Sequence, residues 1–323
     1  MWFSNKELLF LVYRKFFIPR FVFTLVLLVP GFFTFAQSAD TTLIREHLNF
    51  LASKDPDSFR EYTNTERLDE SAEYIYRVFS QYADTVWYQR FFVNGRSYCN
   101  VLCSFGIEIK ERIIVGAHYD ACGDQPGADD NASGTTALLE LARMLSNVEV
   151  PHRIDLVAYT LEEPPFFRTE GMGSFKHVQY LKENNVSVLG MICIEMIGYF
   201  DDQRGSQRYP VGIMKLVYGS KGDYIAVVQK MGNGSFGRKF KRTFKRKSSI
   251  SAKSVKAPTW VSGIDFSDHL NYWAAGISAV MITDTSFYRN AHYHLSSDTV
   301  DTLNIPKMSE VIKTIYKSLL KKY

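Results

Sequence analysis

The chain has 323 residues, 46% of them hydrophobic and 15% aromatic, enough to bury a sizeable core in one large domain or two small ones. Its formal net charge is +4, but residues 1–36 hold Lys6, Arg14, Lys15 and Arg20 against Glu7, which leaves 34 basic and 33 acidic residues beyond them. That balance gives no general argument for nucleic acid or an anionic membrane as partner.

The N-terminus reads as a targeting segment. Basic residues precede the apolar run Phe21–Ala36, and Thr34-Phe35-Ala36 offers small residues at cleavage positions. The run is short for a membrane span and is interrupted by Pro30-Gly31. A cleaved leader over 1–36 and an exported mature chain from Gln37 are therefore expected, with an uncleaved anchor as the alternative. After cleavage no stable membrane span is expected, and residues 37–323 are read as a single domain.

Asp40 is placed to cap a helix through TTLIREHLNFLAS, and a second helix is expected at about 66–82. Strands are expected at 86–93 and 97–105, joined by the hairpin signal Asn94-Gly95, and at 112–117. A helix starts near Ser133. A strand at 153–161, a helix at about 170–184 and a strand at 186–196 follow. Further strands are expected at 213–219 and 277–282, with helices near 222–231 and 305–321. Strands apolar on both faces, alternating with helices, predict an α/β fold: a mainly parallel mixed sheet with helices on both faces.

Two features stand outside this pattern. Arg238–Lys247, RKFKRTFKRK, carries seven basic residues and reads as a solvated loop or helix face rather than a docking patch. The cysteines Cys99, Cys103, Cys122 and Cys193 form neither a metal pattern nor a disulfide framework. Cys99 and Cys103, four apart in a strand, lie roughly 13 Å from one another, too far for a bridge.

In parallel sheets ligands bind at the carboxyl ends of the strands. His118 and Asp120 follow the strand 112–117. Glu162 and Glu163 follow 153–161, Glu195 ends 186–196, and His292 and His294 follow 277–282 across a loop. The first of these loops, GAHYDACGDQPGADDNASG at 116–134, holds four aspartates. Carboxylates gathered at one buried edge cannot all ionise without a counter-charge, and a pair of divalent cations supplies it. Imidazole with carboxylate oxygen suits zinc. The ligand set on offer is His118, one of Asp129 or Asp130, Glu163, Glu195, and His292 or His294.

These pieces resemble the di-zinc aminopeptidases of the bacterial leucyl aminopeptidase and aminopeptidase S type, to which glutaminyl cyclases, glutamate carboxypeptidase II and the transferrin receptor ectodomain are related. The matching segments are GAHYDA at 116–121, PGADDNASG at 126–134, LEE at 161–163, IEMIGY at 194–199, SDH at 267–269 and YHLSSDTVDTL at 293–303, in family order. The resemblance implies a hydrolase with two zinc ions per chain, held by His118, Asp130, Glu163, Glu195 and His294. It implies Asp130 as the bridging carboxylate, Glu162 as general base and Asp120 as the group that orients His118. Asp298 would play a supporting part, and His269 at most the same. Peptide N-termini would be the substrate, with an apolar side chain against aromatics such as Tyr199, Phe200, Phe287 and Tyr288. Arg168 or Arg289 could clamp a carboxylate if the specificity were that of a carboxypeptidase or dipeptidase. Two departures stand out: Glu195 replaces the aspartate of the best-known members, and Pro164-Pro165-Phe166-Phe167 follows Glu163, either shaping a pocket or forming a packed turn. A single-zinc glutaminyl cyclase and a non-catalytic receptor-type ectodomain are the competing expectations.

Overall fold

The architecture follows from strands whose alternate residues serve two different helical layers. A computed structural model describes residues 38–323; the expected leader at 1–36 and its cleavage site lie outside the described residues. The strands are β1 (Thr85–Val93), β2 (Arg96–Phe105), β3 (Arg112–His118), β4 (Arg153–Tyr159), β5 (Val188–Ile194), β6 (Ile225–Lys230), β7 (Ala252–Ala257) and β8 (Ala279–Thr283). They form one sheet in the order β1-β2-β4-β3-β5-β8-β6-β7. The central strands β4, β3, β5 and β8 run parallel, β6 pairs antiparallel with β8, and the hairpin β1–β2 adds antiparallel at the other side. Asn94 and Gly95 both take positive φ in that hairpin, as an Asn-Gly turn requires.

The core has two parts. Ile113, Val115, Ile192 and Ile194 face a layer built from α1 (Thr41–Leu51), α2 (Thr65–Ser80), α3 (Gly134–Leu145), α6 (Gly234–Lys247) and α8 (Ile305–Leu319). Ile114, Met191 and Cys193 face a smaller layer with α4 (Gly173–Glu183) and α7 (His269–Ala274). Parallel strands covered on both sides are apolar on both faces for this reason. Asp40 caps α1 as expected, accepting from Thr42 N at 2.8 Å and Leu43 N at 3.3 Å. Among the described residues no helix is long and apolar enough to cross a membrane.

The sheet differs from expectation around 213–257. The expected strand at 213–219 is instead a short helix, α5 (Met214–Tyr218), with no buried residue; Leu216 is 85% exposed. An apolar run marks a strand only when something covers it. The expected helix at 222–231 contains strand β6, where Ile225 and Val227 serve one layer and Ala226 and Val228 the other. Its β-branched residues suit a pleat flanked on both sides. β7 and α7 were not foreseen. The basic segment forms most of α6: Phe236, Phe240 and Phe244 are buried, while Arg238, Lys239, Arg242, Lys245 and Arg246 are exposed.

Candidate metal centre

Because β3, β4, β5 and β8 are mutually parallel, their carboxyl ends share one edge of the sheet. His118 is the last residue of β3, two residues separate β4 from Glu162, and Glu195 directly follows β5. His294 returns to this edge through the loop after β8. The backbone there is held away from its easy conformations. Leu161 (φ +59), Met196 (φ +47) and His294 (φ +58) are non-glycine residues in the left-handed region, flanking or forming the cluster.

Asp120 organises the first two strand ends. Its carboxylate accepts the N–H of Glu162 at 3.2 Å and of Glu163 at 3.1 Å. Its carbonyl lies 3.1 Å from Nδ1 of His118. A proton on Nδ1 directed at that carbonyl leaves the lone pair on Nε2, facing the cluster.

Asp130 is the centre of the arrangement. Its Oδ1 lies 3.4 Å from His118 Nε2, and its Oδ2 lies 3.1 Å from His294 Nε2. Glu195 Oε2 is 3.4 Å from His118 Nε2, and Glu163 Oε2 is 3.3 Å from His294 Nε2. Glu162 Oε2 stands farther off, at 3.9 Å from His118 Nε2. All six sequence-derived donors therefore meet at one place. His292 is turned aside, its Nδ1 2.9 Å from Ser297 Oγ. His269 is buried against the edge of Trp273 and donates from Nε2 to the Ile264 carbonyl, and so stays outside the cluster.

The electrostatics require a counter-charge. Burial raises Glu162 well above the usual carboxylate range, partly offset by His118 and reinforced by Glu163 and Glu195. Burial and the charge of Asp130 push Glu163 up to about 8. Burial opposes protonation of His118, but the carboxylates of Glu195 and Glu162 outweigh it and raise the ring well above its ordinary value. Burial also acts against Asp130, yet the facing imidazoles of His118 and His294 hold its carboxyl low. Three buried donor atoms in this cluster have no hydrogen-bond partner: His118 Nε2, Glu163 Oε1 and His294 Nε2. Unpaired lone pairs of imidazole and carboxylate, converging in a buried place, fit divalent metal, and the donor types suit zinc.

Supporting residues complete the centre; of these Arg60, Gly127, Ser267 and Asn131 were not singled out from the sequence, whereas Asp298 was expected in a supporting part. Arg60 is wholly buried and donates to the carbonyls of Tyr119 (2.6 Å), Pro126 (2.9 Å), Gly127 (3.0 Å) and Leu51. Gly127 has φ +58, and a Cβ there would meet Asp130 O at 2.3 Å. Ser267, inside the quoted SDH segment, donates to Glu195 Oε2 at 2.6 Å. Asn131 braces the same carboxylate and the Met196 N–H. Asp298, whose carboxyl burial pushes up to about 8, accepts the N–H groups of Asp129 and Asp130. Asp129 faces away from the cluster, its carboxylate accepting from Gly198 N and Asn290 Nδ2.

Beside the cluster opens a cavity of about 540 Å³. Asp130, Glu162, Glu163, Glu195 and His294 line its polar end, and Val255, Phe266, Met281, Phe287 and Tyr288 its apolar body. Of the aromatics expected at a substrate side chain, Phe287 and Tyr288 are there. Tyr199 and Phe200 are not; the Tyr199 ring meets His292 edge-on at 5.8 Å, and Phe200 packs at the margin of the core. The Phe166-Phe167 pair divides its roles: Phe166 packs edge-on against Tyr62, and Phe167 lines the cavity. Neither Arg168 nor Arg289 lines it. Arg168 pairs with Asp265, and Arg289 donates to Gln207 Oε1 and the Tyr199 carbonyl.

Known proteins resemble this chain in sequence and in fold. The profile of peptidase family M28 matches residues 100–319. The uncharacterized protein YfbL of Escherichia coli (strain K12) is 45% identical in an alignment of 261 positions that covers 78% of this chain and 80% of that protein. A probable leucine aminopeptidase of Arthroderma otae is 24% identical over 234 residues, covering 69% of this chain but 57% of that protein. Among solved structures, LapB from Legionella pneumophila shares the fold with a TM-score of 0.67 at 22% identity, over 87% of this chain and 71% of that one. Glutaminyl cyclase from Tannerella forsythia shares it with a TM-score of 0.64 at 18% identity, over 89% and 100%.

Proposed function

The chain belongs to peptidase family M28, and from that premise we propose that it is an exported zinc aminopeptidase that releases N-terminal residues from peptides. Two zinc ions per chain would be held, one by His118 and Glu195 and the other by Glu163 and His294, with Asp130 shared between them. The observation that carries this is Asp130 itself, whose two oxygens face two different imidazoles at 3.4 and 3.1 Å. Bound zinc would supply Lewis acidity, lowering the pKa of a water and polarising the scissile carbonyl.

The chain's own side chains do the rest. Glu162 acts as general base: its carboxylate takes the proton of the attacking water and passes it to the leaving amine. Asp120 positions Glu162 and Glu163 through their backbone N–H groups and fixes the ring of His118. The carboxylates at the polar end of the cavity attract a free α-ammonium, which favours an exopeptidase. The apolar body beside them suits a large apolar first side chain, against Phe266, Met281 and Phe287. Export is supported by the basic-then-apolar segment over 1–36, and N-terminal sequencing of the secreted chain would then begin at Gln37.

Glutaminyl cyclase activity is the second reading, favoured by the shared fold of the Tannerella forsythia enzyme along its full length. One panel separates the two: aminoacyl chromogenic amides, N-blocked peptides and an N-terminal glutamine peptide, with metal content measured on the same samples. The aminopeptidase is expected to hold two zinc ions, cleave free amino termini and spare blocked ones. One zinc with pyroglutamate as product reverses the order, and activity on neither class removes both.

A further inference from the structure

We propose that Cys122 is a further metal ligand, its sulfur facing the ion held by Glu163 and His294. This rests on the two-metal reading and adds a donor of a different chemical kind to it. The loop after β3 is pinned by the buried Arg60 guanidinium on Tyr119 O, Pro126 O and Gly127 O. So held, it carries the half-buried Cys122 against the segments of Glu163 and His294. The Cys122 sulfur, a Glu163 carboxylate oxygen and a His294 ring nitrogen all lie within 4.8 Å of one another. Donors about 2.0–2.3 Å from a common zinc ion are separated by at most about 4.6 Å, so three donors already within 4.8 Å of one another reach a shared ion by small side-chain shifts.

A second observation points to a ligand at the same spot. Glu163 is only 5% exposed, and its Oε1 has no hydrogen-bond partner. A neutral thiol is too weak a donor to offset a buried carboxylate, whereas a cation shared with that thiol does so. The other three cysteines cannot serve: Cys99 and Cys103 lie in β2 and Cys193 in β5, all at most 2% exposed. None of the four is in a disulfide. On coordination the S–H proton leaves to solvent and a sulfur–metal bond forms, with no change of oxidation state. Sulfur at one position shifts the preference there toward thiophilic ions such as zinc and cadmium and away from magnesium or manganese.

The test is spectroscopic and needs no substrate. The full chain is stripped with a chelator and titrated with cadmium. Thiolate-to-cadmium charge-transfer absorption is read alongside bound cadmium and the rate of alkylation of exposed thiol by iodoacetamide. The wild type is expected to develop the band and to lose alkylation at its one accessible thiol by at least tenfold on loading. Cys122→Ser is expected to bind the same number of ions without the band. Cadmium bound to the wild type with no band, or with alkylation unchanged, overturns the assignment of Cys122 and leaves the two-metal centre standing. No cadmium and no zinc bound at all removes both. The alkylation measurement is made on the wild type alone, so it holds even if the variant folds poorly.

Discussion

Glu162 stands 3.9 Å from the nearest ring nitrogen, while Asp130, Glu163 and Glu195 each come within 3.1 to 3.4 Å of one. A carboxylate set back from the imidazoles is better placed to hold a proton than to share a cation with them. Glu162→Gln keeps shape and hydrogen bonding but cannot take that proton. It is expected to lower kcat by about 10²–10⁴, with zinc content unchanged; loss of zinc along with activity would make Glu162 a ligand instead. Arg60 works at one remove. It is wholly buried and donates to four backbone carbonyls, three of them in the loop between His118 and Asp130. Arg60→Met leaves those carbonyls without partners inside the protein. It is expected to cost about 3–5 kcal/mol of stability in urea denaturation and to weaken zinc retention measured by chelator competition. A stability change under 1 kcal/mol would mean that water or a neighbour replaces the guanidinium.

At the level of elements, legibility followed burial. His118, Glu162, Glu163 and Glu195 could be read from the sequence because each follows a strand that is apolar on both faces, and such strands leave an unmistakable run. The supports could not be read so well. Arg60 sits in an irregular segment with no periodic neighbours, and nothing in SFREY distinguishes a buried arginine from a solvated one. α5 and β6 were exchanged because the run IMKLVY is apolar yet uncovered, whereas YIAVVQ is short and lies between two layers. Of the two readings of the basic segment, solvated loop or helix face, α6 is the second, and its composition has an energetic consequence. Arg238, Lys239, Lys241, Arg242, Lys245, Arg246 and Lys247 share one helix with no acid, and like charges three or four residues apart repel. The three at its C-terminal end are offset by the helix dipole; Arg238, near its start, is not. Arg238→Glu would face Lys241 and Arg242 in the favourable order. It is expected to raise stability by about 0.5–1 kcal/mol at low salt, with the gain shrinking in high salt, both read from urea midpoints. An unchanged midpoint at low salt would mean that these cations are already screened from one another.

Across the whole molecule, burial lowers the pKa of four histidines outside the metal cluster, His47, His152, His177 and His269, and makes stability depend on acid. Burial lowers His47, His177 and His269 each from 6.5 to about 4. Each is held as a neutral ring: His47 against the Tyr74 hydroxyl at 2.7 Å, His177 against the Tyr272 hydroxyl at 2.6 Å, and His269 with its Nε2 on the Ile264 carbonyl at 2.8 Å. They sit in α1, α4 and α7, so both helical layers carry at least one. In the unfolded chain the rings take up protons near pH 6.5, while in the fold they do not until about pH 4, so the unfolded state binds more protons in between. Their contribution is complete above about pH 6.5 and is lost as pH falls toward 4, at up to about 1.4 kcal/mol per pH unit for each ring. By pH 5 each has given up roughly 2 kcal/mol, a large share of the 5–15 kcal/mol typical of a folded domain. Release of bound metal in acid would add to the slope, so the wild type alone does not isolate the histidines. His177→Gln removes one titrating ring that bonds to Tyr272 rather than to any residue of the cluster, and is expected to leave metal release unchanged. Urea denaturation at pH 7, 6 and 5 is expected to show the variant less stable at pH 7 but losing about 2 kcal/mol less than the wild type on the way to pH 5. Parallel losses in the two proteins would mean that His177 is already able to take up its proton in the folded state.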